Sequence, residues 1–280
     1  MKVDIICPLY NAEEYIEKLY ESLLNQKKIK INKINFILTR SKDNTQKILD
    51  DKKIKYELVE PEDFSHSLTR EKAIKKSKAD VVVLITQDVD IRNDDWLEKL
   101  VTPIINGEVE ATYSRQLTKY NNIEKYTREF NYPDKSEIRS KEDIEKYGLK
   151  TFFSSDTSFA IKRKIFVELN GYDEKDLPVS EDMYITYKLI MNGYKIKYCS
   201  DSIVYHSHNY TVWQVYKRYI LNGKFFKQNK YLEQYGVGGS GSKMAKYILK
   251  GIIRDKNIKL LFRYPFDMAA RLIGMKVGKM

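Results

Sequence analysis

Short apolar runs alternate, over the first 113 residues, with segments whose apolar positions recur every three or four residues. Four apolar runs predict strands, at 3–7, 34–39, 55–59 and 80–86. Four helical patterns lie between and after them, at 12–25, from about 44, at 67–77 and at 94–105. This alternation favours an α/β fold with a doubly wound, mostly parallel sheet. The ligand site of such a sheet lies beyond the carboxyl ends of its strands.

The pattern weakens between residues 114 and 150, which are polar and aromatic, and we interpret this stretch as an excursion from the sheet. Four later features are expected: a strand at 157–161, a helix from about Ser180, a hairpin-like pair at 194–206 and a helix at 213–226. Residues 235–242 are rich in glycine and serine, which predicts a flexible linker.

The remaining segment, 243–280, combines apolar residues at helical spacing with a strong positive charge. It holds ten basic and two acidic residues, so it accounts for +8 of the chain's net charge of +11. Pro265 should interrupt any long helix, and at least two short helices are expected. One interpretation is an interfacial anchor on anionic lipid, and the alternative is packing on the protein's own core. Charge confined to a tail argues against a nucleic-acid binder.

Composition limits the class of protein further. Hydrophobic residues make up 42% of the chain, which is enough for a substantial core. The two cysteines, Cys7 and Cys199, lie in strand-like runs, so no disulfide is expected and a reducing cytoplasm is the default. The first residues do not resemble a signal peptide, and the apolar run Val81–Ile85 is far too short to span a bilayer.

Two carboxylates follow the fourth predicted strand, in Gln87-Asp88-Val89-Asp90. On an extended segment, residues two apart point to the same side. Carboxylate oxygens at a strand end suit Mg²⁺ or Mn²⁺, with substrate phosphates completing the coordination. The alternative is a solvated turn with ordinary surface acids.

A second acidic pair, Glu181 and Asp182, lies where a helix is expected to begin. The helix dipole favours acids at this position in any protein, which is one explanation. The other is that one of the two carboxylates is a general base.

Histidines are rare in this chain, and two of the three are His206 and His208. Alternation places them on the same face of an extended segment, where they are either metal ligands or ordinary packed and surface residues. The third, His66, precedes Arg70, whose planar guanidinium suits a phosphate or a base edge. The alternative for Arg70 is an ordinary surface arginine.

Taken in order, these segments resemble the family 2 glycosyltransferases with a GT-A fold. The shared segments are 8–11, 41–45, the D-x-D segment 88–90, 171–174, 181–182 and the late histidine. Within that family the chain is most similar to bacterial rhamnosyltransferases, through the segments 64–70, 86–88, 115–116, 131–133, 206–211 and 271–274. The resemblance covers nearly the whole chain.

The resemblance implies a GT-A doubly wound mixed sheet with a C-terminal helical tail. A catalytic domain at 1–234 would comprise a donor-binding half, 1–113, and an acceptor-side half, 114–234, followed by the linker at 235–242 and the tail at 243–280. The implied reaction is an inverting, metal-dependent transfer of L-rhamnose from dTDP-L-rhamnose to a glycan or lipid-linked glycan. The enzyme would act in the cytoplasm, peripherally attached through its tail to the inner face of the cell membrane.

The resemblance also assigns roles to residues. Asp182 would be the base and Glu181 would orient it, while Asp90 and His206 would hold Mg²⁺ or Mn²⁺ with help from Asp88. The donor-binding residues would be Pro8, Tyr10, Asn11, Thr39, Asp43, His66, Arg70, Gln87 and Asp88. The acceptor-side residues would be Arg115, Tyr132, His208 and Trp213.

One departure concerns recognition of the nucleotide base. The family usually has an acidic residue at the end of the second strand, where this chain has Leu38 or Thr39. The donor is therefore less certain than the reaction, and one alternative is a family 2 enzyme that uses a UDP-hexose. Another is a non-enzymatic basic module that binds membrane or nucleic acid, which would explain the charge but not the ordered carboxylates.

Overall fold

The chain divides into two units in a computed structural model, which describes the backbone of residues 1–280 and every side chain except those at 237, 238 and 240. The first unit consists of Met1–Arg115, Asp134–Lys141 and Phe152–His206. The second unit consists of Gln116–Pro133, Glu142–Thr151 and Ser207–Met280. The tail therefore groups with two central segments, whereas the sequence suggested a catalytic domain at 1–234 with a separate tail.

Eight strands in the described part of the chain form one mixed sheet. They are β1 (Val3–Leu9), β2 (Ile31–Thr39), β3 (Tyr56–Val59), β4 (Val81–Ile85), β5 (Ala111–Leu117), β6 (Glu137–Arg139), β7 (Ser158–Lys162) and β8 (Ile196–Tyr205). Their order is β3-β2-β1-β4-β7-β5-β8-β6. Neighbouring strands within β3-β2-β1-β4 are parallel. Strand β7 runs antiparallel to β4 and β5, and β6 runs antiparallel to β8. This confirms the doubly wound mixed sheet.

The helices follow the alternation that the sequence predicts. In chain order they are α1 (Ile16–Leu24), α2 (Thr45–Asp51), α3 (His66–Lys76), α4 (Trp96–Ile105), α5 (Ile123–Asn131), α6 (Ile144–Tyr147), α7 (Arg163–Glu168), α8 (Glu181–Met191), α9 (Val212–Gln228), α10 (Val237–Arg254) and α11 (Ile258–Lys279). Each helix in the described part of the chain is too short or too polar to span a lipid bilayer.

The core of the first unit explains why the sheet edge is well positioned. All five residues of β4 are fully buried, as expected for a strand that is covered on both faces. Trp96, at the start of α4, is also fully buried, and its indole N–H lies 3.1 Å from the hydroxyl oxygens of both Ser114 and Ser158. These contacts hold α4, the helix that follows β4, against the sheet. They therefore also restrain the segment between β4 and α4, where the predicted carboxylates lie.

The expected hairpin at 194–206 is wrong, because the structure has the single strand β8 there. Residues 200–202 are polar, yet they lie within this strand. Ser202 is instead buried, and its hydroxyl donates to the carbonyl of Trp96 at 3.1 Å. A polar residue whose hydrogen bond is satisfied inside the protein can lie in the middle of a strand. Although residues 114–150 show only weak periodicity, they form short elements, namely part of β5 together with α5, β6 and α6.

The segment expected to be a flexible linker is helical over much of its length. A 3-10 helix, Lys230–Tyr235, comes before it, and α10 begins at Val237. Each glycine disfavours a helix by about 1 kcal/mol relative to alanine, so this segment has no helical pattern in its sequence. The side chains at 237, 238 and 240 lie outside the described residues. Gly239 and Gly241 face open space within α10.

Pro265 does not interrupt the tail as expected, because α11 continues through it. The break between the two tail helices lies earlier, at 255–257. Lys256 has a φ of 52° there, which is a left-handed conformation that an α-helix cannot contain. Asn257 then caps α11, since its side-chain oxygen accepts the N–H of Leu260 at 3.1 Å. Two tail helices are present, but a cap separates them rather than the proline.

Glycines allow α11 to pack closely on α9 within the second unit. A Cβ atom at Gly278 would overlap the carbonyl oxygen of Ile220, and one at Gly274 would lie 2.6 Å from the carbonyl oxygen of Tyr216. On α10, Ile248 and Ile252 are buried in a cluster that also includes residues of α5. One face of the tail is therefore packed against its own unit.

This packing predicts opposite effects for two Gly→Ala substitutions in the tail. Gly278→Ala should lower the free energy of unfolding by about 1–3 kcal/mol, because the added methyl group overpacks the α9–α11 contact. Gly241→Ala is the matched control and should raise it by about 0.5–1 kcal/mol, because that helical position is open. Urea unfolding of the full chain measures both. If Gly278→Ala stabilises the protein as much as Gly241→Ala does, the tail is not packed as described.

Candidate functional site

A cleft of about 350 Å³ opens in the first unit beside the carboxyl ends of β1, β2 and β4. Six of the residues expected to bind the donor line it: Pro8, Tyr10, Thr39, His66, Arg70 and Gln87. Leu9, Pro61, Phe64 and Thr86 complete the wall. Pro61 had not been singled out, because it lies in a short 3-10 turn that has no periodic signal.

Three buried polar atoms of this wall have no hydrogen-bond partner within the described part of the chain. They are Oγ1 of Thr39, Oγ1 of Thr86 and Nε of Arg70. Buried polar atoms are nearly always paired, because an unmet hydrogen bond costs about 1–3 kcal/mol. The wall of the cleft therefore contains polar groups that form no hydrogen bond within the described part of the chain.

The loop after β1 is held to the end of β4 by a reciprocal pair of hydrogen bonds. Oε1 of Gln87 accepts the backbone N–H of Tyr10 at 2.7 Å, and Nε2 of Gln87 donates to the carbonyl of Tyr10 at 2.9 Å. The same loop is joined to the end of β2 through Asn11. Its N–H donates to the hydroxyl of Ser41 at 2.9 Å, and its side-chain oxygen accepts the N–H of Lys42 at 3.0 Å.

Asp43 supports the same loops. Its carboxylate accepts the hydroxyl and the N–H of Thr45, at 2.5 and 3.0 Å, and the N–H of Glu13 at 3.1 Å. Burial raises the pKa of Asp43, but these hydrogen bonds outweigh burial, and the net pKa lies below the usual value. Asn11 and Asp43, which we expected to contact the donor, are thus engaged in holding the cleft's loops together.

Asp88 and His206 come together in the first unit. A carboxylate oxygen of Asp88 lies 3.3 Å from Nε2 of His206, although 118 residues separate the two in the chain. The His206 side chain is nearly buried, whereas that of Asp88 is about one-fifth exposed. A carboxylate oxygen and an imidazole nitrogen are both ligand atoms that bind first-row divalent metal ions, such as Mn²⁺.

Asp90 has different partners from Asp88. The segment after β4 is a turn rather than an extended strand, and Asp90 then pairs through its backbone with Tyr205. Its carboxylate lies 2.8 Å from the ammonium group of Lys18 and 3.0 Å from the guanidinium of Arg92. Burial raises the pKa of Asp90, but these ion pairs outweigh it and the net pKa is lowered. The expectation that the two carboxylates share one side stays a prediction.

The second acidic pair begins α8. Ser180, just before it, has a φ of 62°, a left-handed conformation that costs a non-glycine residue about 1–2 kcal/mol. Glu181 is buried, and its carboxylate lies 3.4 Å from the guanidinium of Arg70. Asp182 is partly exposed, and its Oδ1 accepts the N–H of Met183 at 2.7 Å. Asp182 is therefore the more exposed member of the pair.

The residues expected on the acceptor side are divided between the units. Arg115 belongs to the first unit. In the second unit Tyr132 is buried, and its hydroxyl accepts a hydrogen bond from Gln116 at 2.7 Å, which is a structural role. His208 stacks on Tyr210 with 4.6 Å between ring centroids.

Trp213 is different from these residues because most of its side chain is exposed. It stacks on Tyr216 at 5.0 Å between ring centroids. An exposed aromatic ring held by a second ring is available for a contact with a ligand, and this leaves the expectation for Trp213 open to test.

The structure adds one buried acid that the sequence did not single out. Asp156 lies just before β7, accepts the hydroxyl of Tyr172 at 3.1 Å, and has a carboxylate oxygen 3.8 Å from Nε of Arg70. Arg70, expected to meet a phosphate or a base edge, thus lies between two carboxyl groups while it also lines the cleft. Nothing in the periodicity around residue 156 indicates this arrangement.

Comparison with known proteins places this geometry in context. Residues 4–169 match the family described as glycosyl transferase family 2. The chain is 33% identical to the O-antigen chain rhamnosyltransferase RfbN of Salmonella typhimurium, over 100% of this chain and 90% of the relative. It is 31% identical to the O-antigen chain rhamnosyltransferase WbaN of Salmonella anatum, over 98% of this chain and 88% of that relative.

A solved structure supports the fold independently. The mannosyltransferase PcManGT from Pyrobaculum calidifontis, solved in complex with GDP-Man and Mn²⁺, superposes with a TM-score of 0.67. The match covers 99% of this chain and 86% of that one at 16% sequence identity. The expected GT-A fold is therefore confirmed.

Proposed function

The chain belongs to glycosyl transferase family 2, and we propose that it transfers L-rhamnose from dTDP-L-rhamnose to a glycan acceptor in the synthesis of a cell-surface polysaccharide. Transfer proceeds with inversion at the anomeric carbon. The relatives named as O-antigen chain rhamnosyltransferases, which match along the full chain, support the sugar and the pathway. The observation that carries the proposal is the cleft of the first unit, with its unpaired polar atoms.

The donor's nucleotide occupies this cleft. Apolar and aromatic side chains, among them Leu9, Tyr10 and Phe64, form a surface on which a planar base packs. The hydroxyl groups of Thr39 and Thr86 supply neutral hydrogen bonds, which suit a base that presents both donors and acceptors. The threonine at the end of β2 thus takes the position where the family usually has an acid.

The diphosphate lies beside Asp88 and His206. This pair offers an oxygen and a nitrogen ligand, and PcManGT was solved with Mn²⁺, so we assign the pair to Mg²⁺ or Mn²⁺. The ion would neutralise negative charge on the departing diphosphate. Asp90, which we had expected to be a ligand, is neutralised by Lys18 and Arg92 and supports the loop instead.

Asp182 acts on the acceptor. Its carboxylate takes the proton of the acceptor hydroxyl while the hydroxyl oxygen forms a bond to the anomeric carbon. The bond from that carbon to the diphosphate oxygen breaks, and its electron pair leaves with the diphosphate. Glu181 orients the first turn of α8 through its ion pair with Arg70. No covalent intermediate is needed.

The tail attaches the enzyme to the inner face of the membrane, where a lipid-linked acceptor is available. A stripe of apolar side chains is exposed along α11 and at the residue after it: Ile258, Phe262, Phe266, Ile273, Val277 and Met280. Phe262 is 74% exposed and Phe266 is 66% exposed. Exposed lysines such as Lys259 and Lys276 accompany the stripe, a combination that favours anionic lipid.

We expect chelation by EDTA to abolish sugar transfer and Mn²⁺ or Mg²⁺ to restore it. Asp88→Asn and His206→Ala should raise the metal concentration needed for half-maximal rate at least about tenfold, because each removes a ligand. Asp90→Asn serves as the control and should raise it less. Initial rates against metal concentration measure all three variants. Full activity after rigorous chelation would contradict the assignment.

Asp182→Asn preserves the size of the side chain but removes its basicity. Turnover should fall at least about a hundredfold, which is the lower end of general-base contributions, while donor binding persists. The exposed Asp201→Asn is the control and should have little effect. Turnover comes from sugar-transfer assays and donor affinity from calorimetry. Wild-type turnover in Asp182→Asn would move the role to Glu181.

The membrane contact can be tested by co-sedimentation with phosphatidylglycerol vesicles. The wild-type chain should bind these vesicles and dissociate from them in high salt, and it should not bind neutral phosphatidylcholine vesicles. Phe262→Ser with Phe266→Ser should lose binding and keep the folding stability, since both residues are exposed. Leu24→Ser, at an exposed apolar residue of the first unit, is the control. Self-association of the wild type that the double variant abolishes would instead assign the stripe to a second copy.

A further inference from the structure

A buried cluster of charges surrounds Arg70 in the first unit. Its guanidinium lies 3.4 Å from a carboxylate oxygen of Glu181 and 3.8 Å from one of Asp156. All three side chains are at most 10% exposed. One buried positive charge thus faces two carboxyl groups. Two ionised carboxylates would leave one uncompensated negative charge in the interior, which is costly, so one of the two carries a proton.

The contacts identify Asp156 as the protonated acid. Its Oδ1 is buried and forms no hydrogen bond within the described part of the chain, and a charged oxygen in that condition costs more than a neutral one. Burial and the negative charge of Glu181 raise the pKa of Asp156 well above its usual value, against the opposing effect of Arg70. Burial also raises the pKa of Tyr172, so its hydroxyl remains a donor to Asp156.

We propose that Asp156 is a positioning residue for sugar transfer. When Asp156 is neutral, Arg70 forms its ion pair with Glu181 alone. This ion pair holds the first turn of α8, which carries Asp182, in place. This inference rests on the proposed function. Arg70 is itself anchored, since its Nη1 donates to the carbonyl of His66 at 2.8 Å. The cluster therefore joins the wall of the cleft to the turn that carries the base.

Ionisation of Asp156 disturbs this arrangement. The charged and titratable groups around it are Arg70 on α3, Glu181 and Asp182 at the start of α8, and Tyr172. Behind Arg70 lies Cys7 on β1, whose thiol stays neutral because burial raises its pKa. A second negative charge would compete with Glu181 for Arg70 and repel Asp182. Turnover is therefore expected to fall as the pH rises through the pKa of Asp156 in the folded protein.

Folding stability tests the protonation state without any assay of activity. Because the pKa of Asp156 is higher in the folded than in the unfolded protein, the wild type loses stability as pH rises from about 4 towards the folded pKa. Asp156→Asn cannot ionise, so its Tm relative to wild type should increase across that range. The exposed Asp51→Asn should show no such trend. A Tm deficit of Asp156→Asn that grows with pH would show an ionised partner of Arg70 and overturn the proposal.

Activity tests the positioning role. Below the pH at which wild-type turnover declines, Asp156→Asn should keep turnover within about threefold of wild type, because asparagine reproduces the neutral group, and it should lose that decline. Asp156→Leu should lose on the order of a hundredfold, since a displaced base is misaligned. Wild-type turnover in Asp156→Leu, or an unchanged decline with pH in Asp156→Asn, would overturn the proposal. If the wild type transfers no sugar, the proposed function fails, while the stability measurement still decides the state of Asp156.

Discussion

Parallel pairing of β1 with β2 and β4 is the constraint on which the rest of the first unit depends. It brings three strand ends to one edge of the sheet, so that segments far apart in the chain form a single cleft. The polar links across that edge, chiefly Gln87 with Tyr10 and Asn11 with Ser41, hold the loops in place without filling the cleft. The strand β4, which precedes Gln87, is itself fully buried in the core.

Charge neutralisation separates the acids of this edge into different roles. Asp90 is held by Lys18 and Arg92, and Glu181 is held by Arg70, so these carboxylates stabilise the scaffold. Asp88 and Asp182 remain partly exposed, and they are the two to which we assign chemistry. The same amino acid thus serves as a support or as a reactive group according to the cations nearby.

The sheet could be predicted because apolar runs in the sequence mark its strands. Most of the cleft could be predicted because the polar segments that follow parallel strands meet at one edge of the sheet. The sequence could not predict that Asp88 and Asp90 have different partners, since the segment after β4 is a turn rather than an extended strand. It also missed Asp156, because a buried ion cluster depends on contacts between distant residues. In α11, Pro265 predicts a break that the structure does not have, because packing on α9 outweighs intrinsic helix propensity.

The central claim is that the unpaired hydroxyl groups of the cleft exist to bind the nucleotide-sugar donor. Calorimetric titration of dTDP-L-rhamnose with Mn²⁺ present, into wild type and into a Thr39→Val, Thr86→Val double variant, tests it most directly. Valine keeps the shape of threonine and removes only the hydroxyl. We expect the double variant to bind the donor about tenfold more weakly, because two hydrogen bonds are lost, with folding stability unchanged or raised. Donor binding by the double variant as tight as that of the wild type would contradict it.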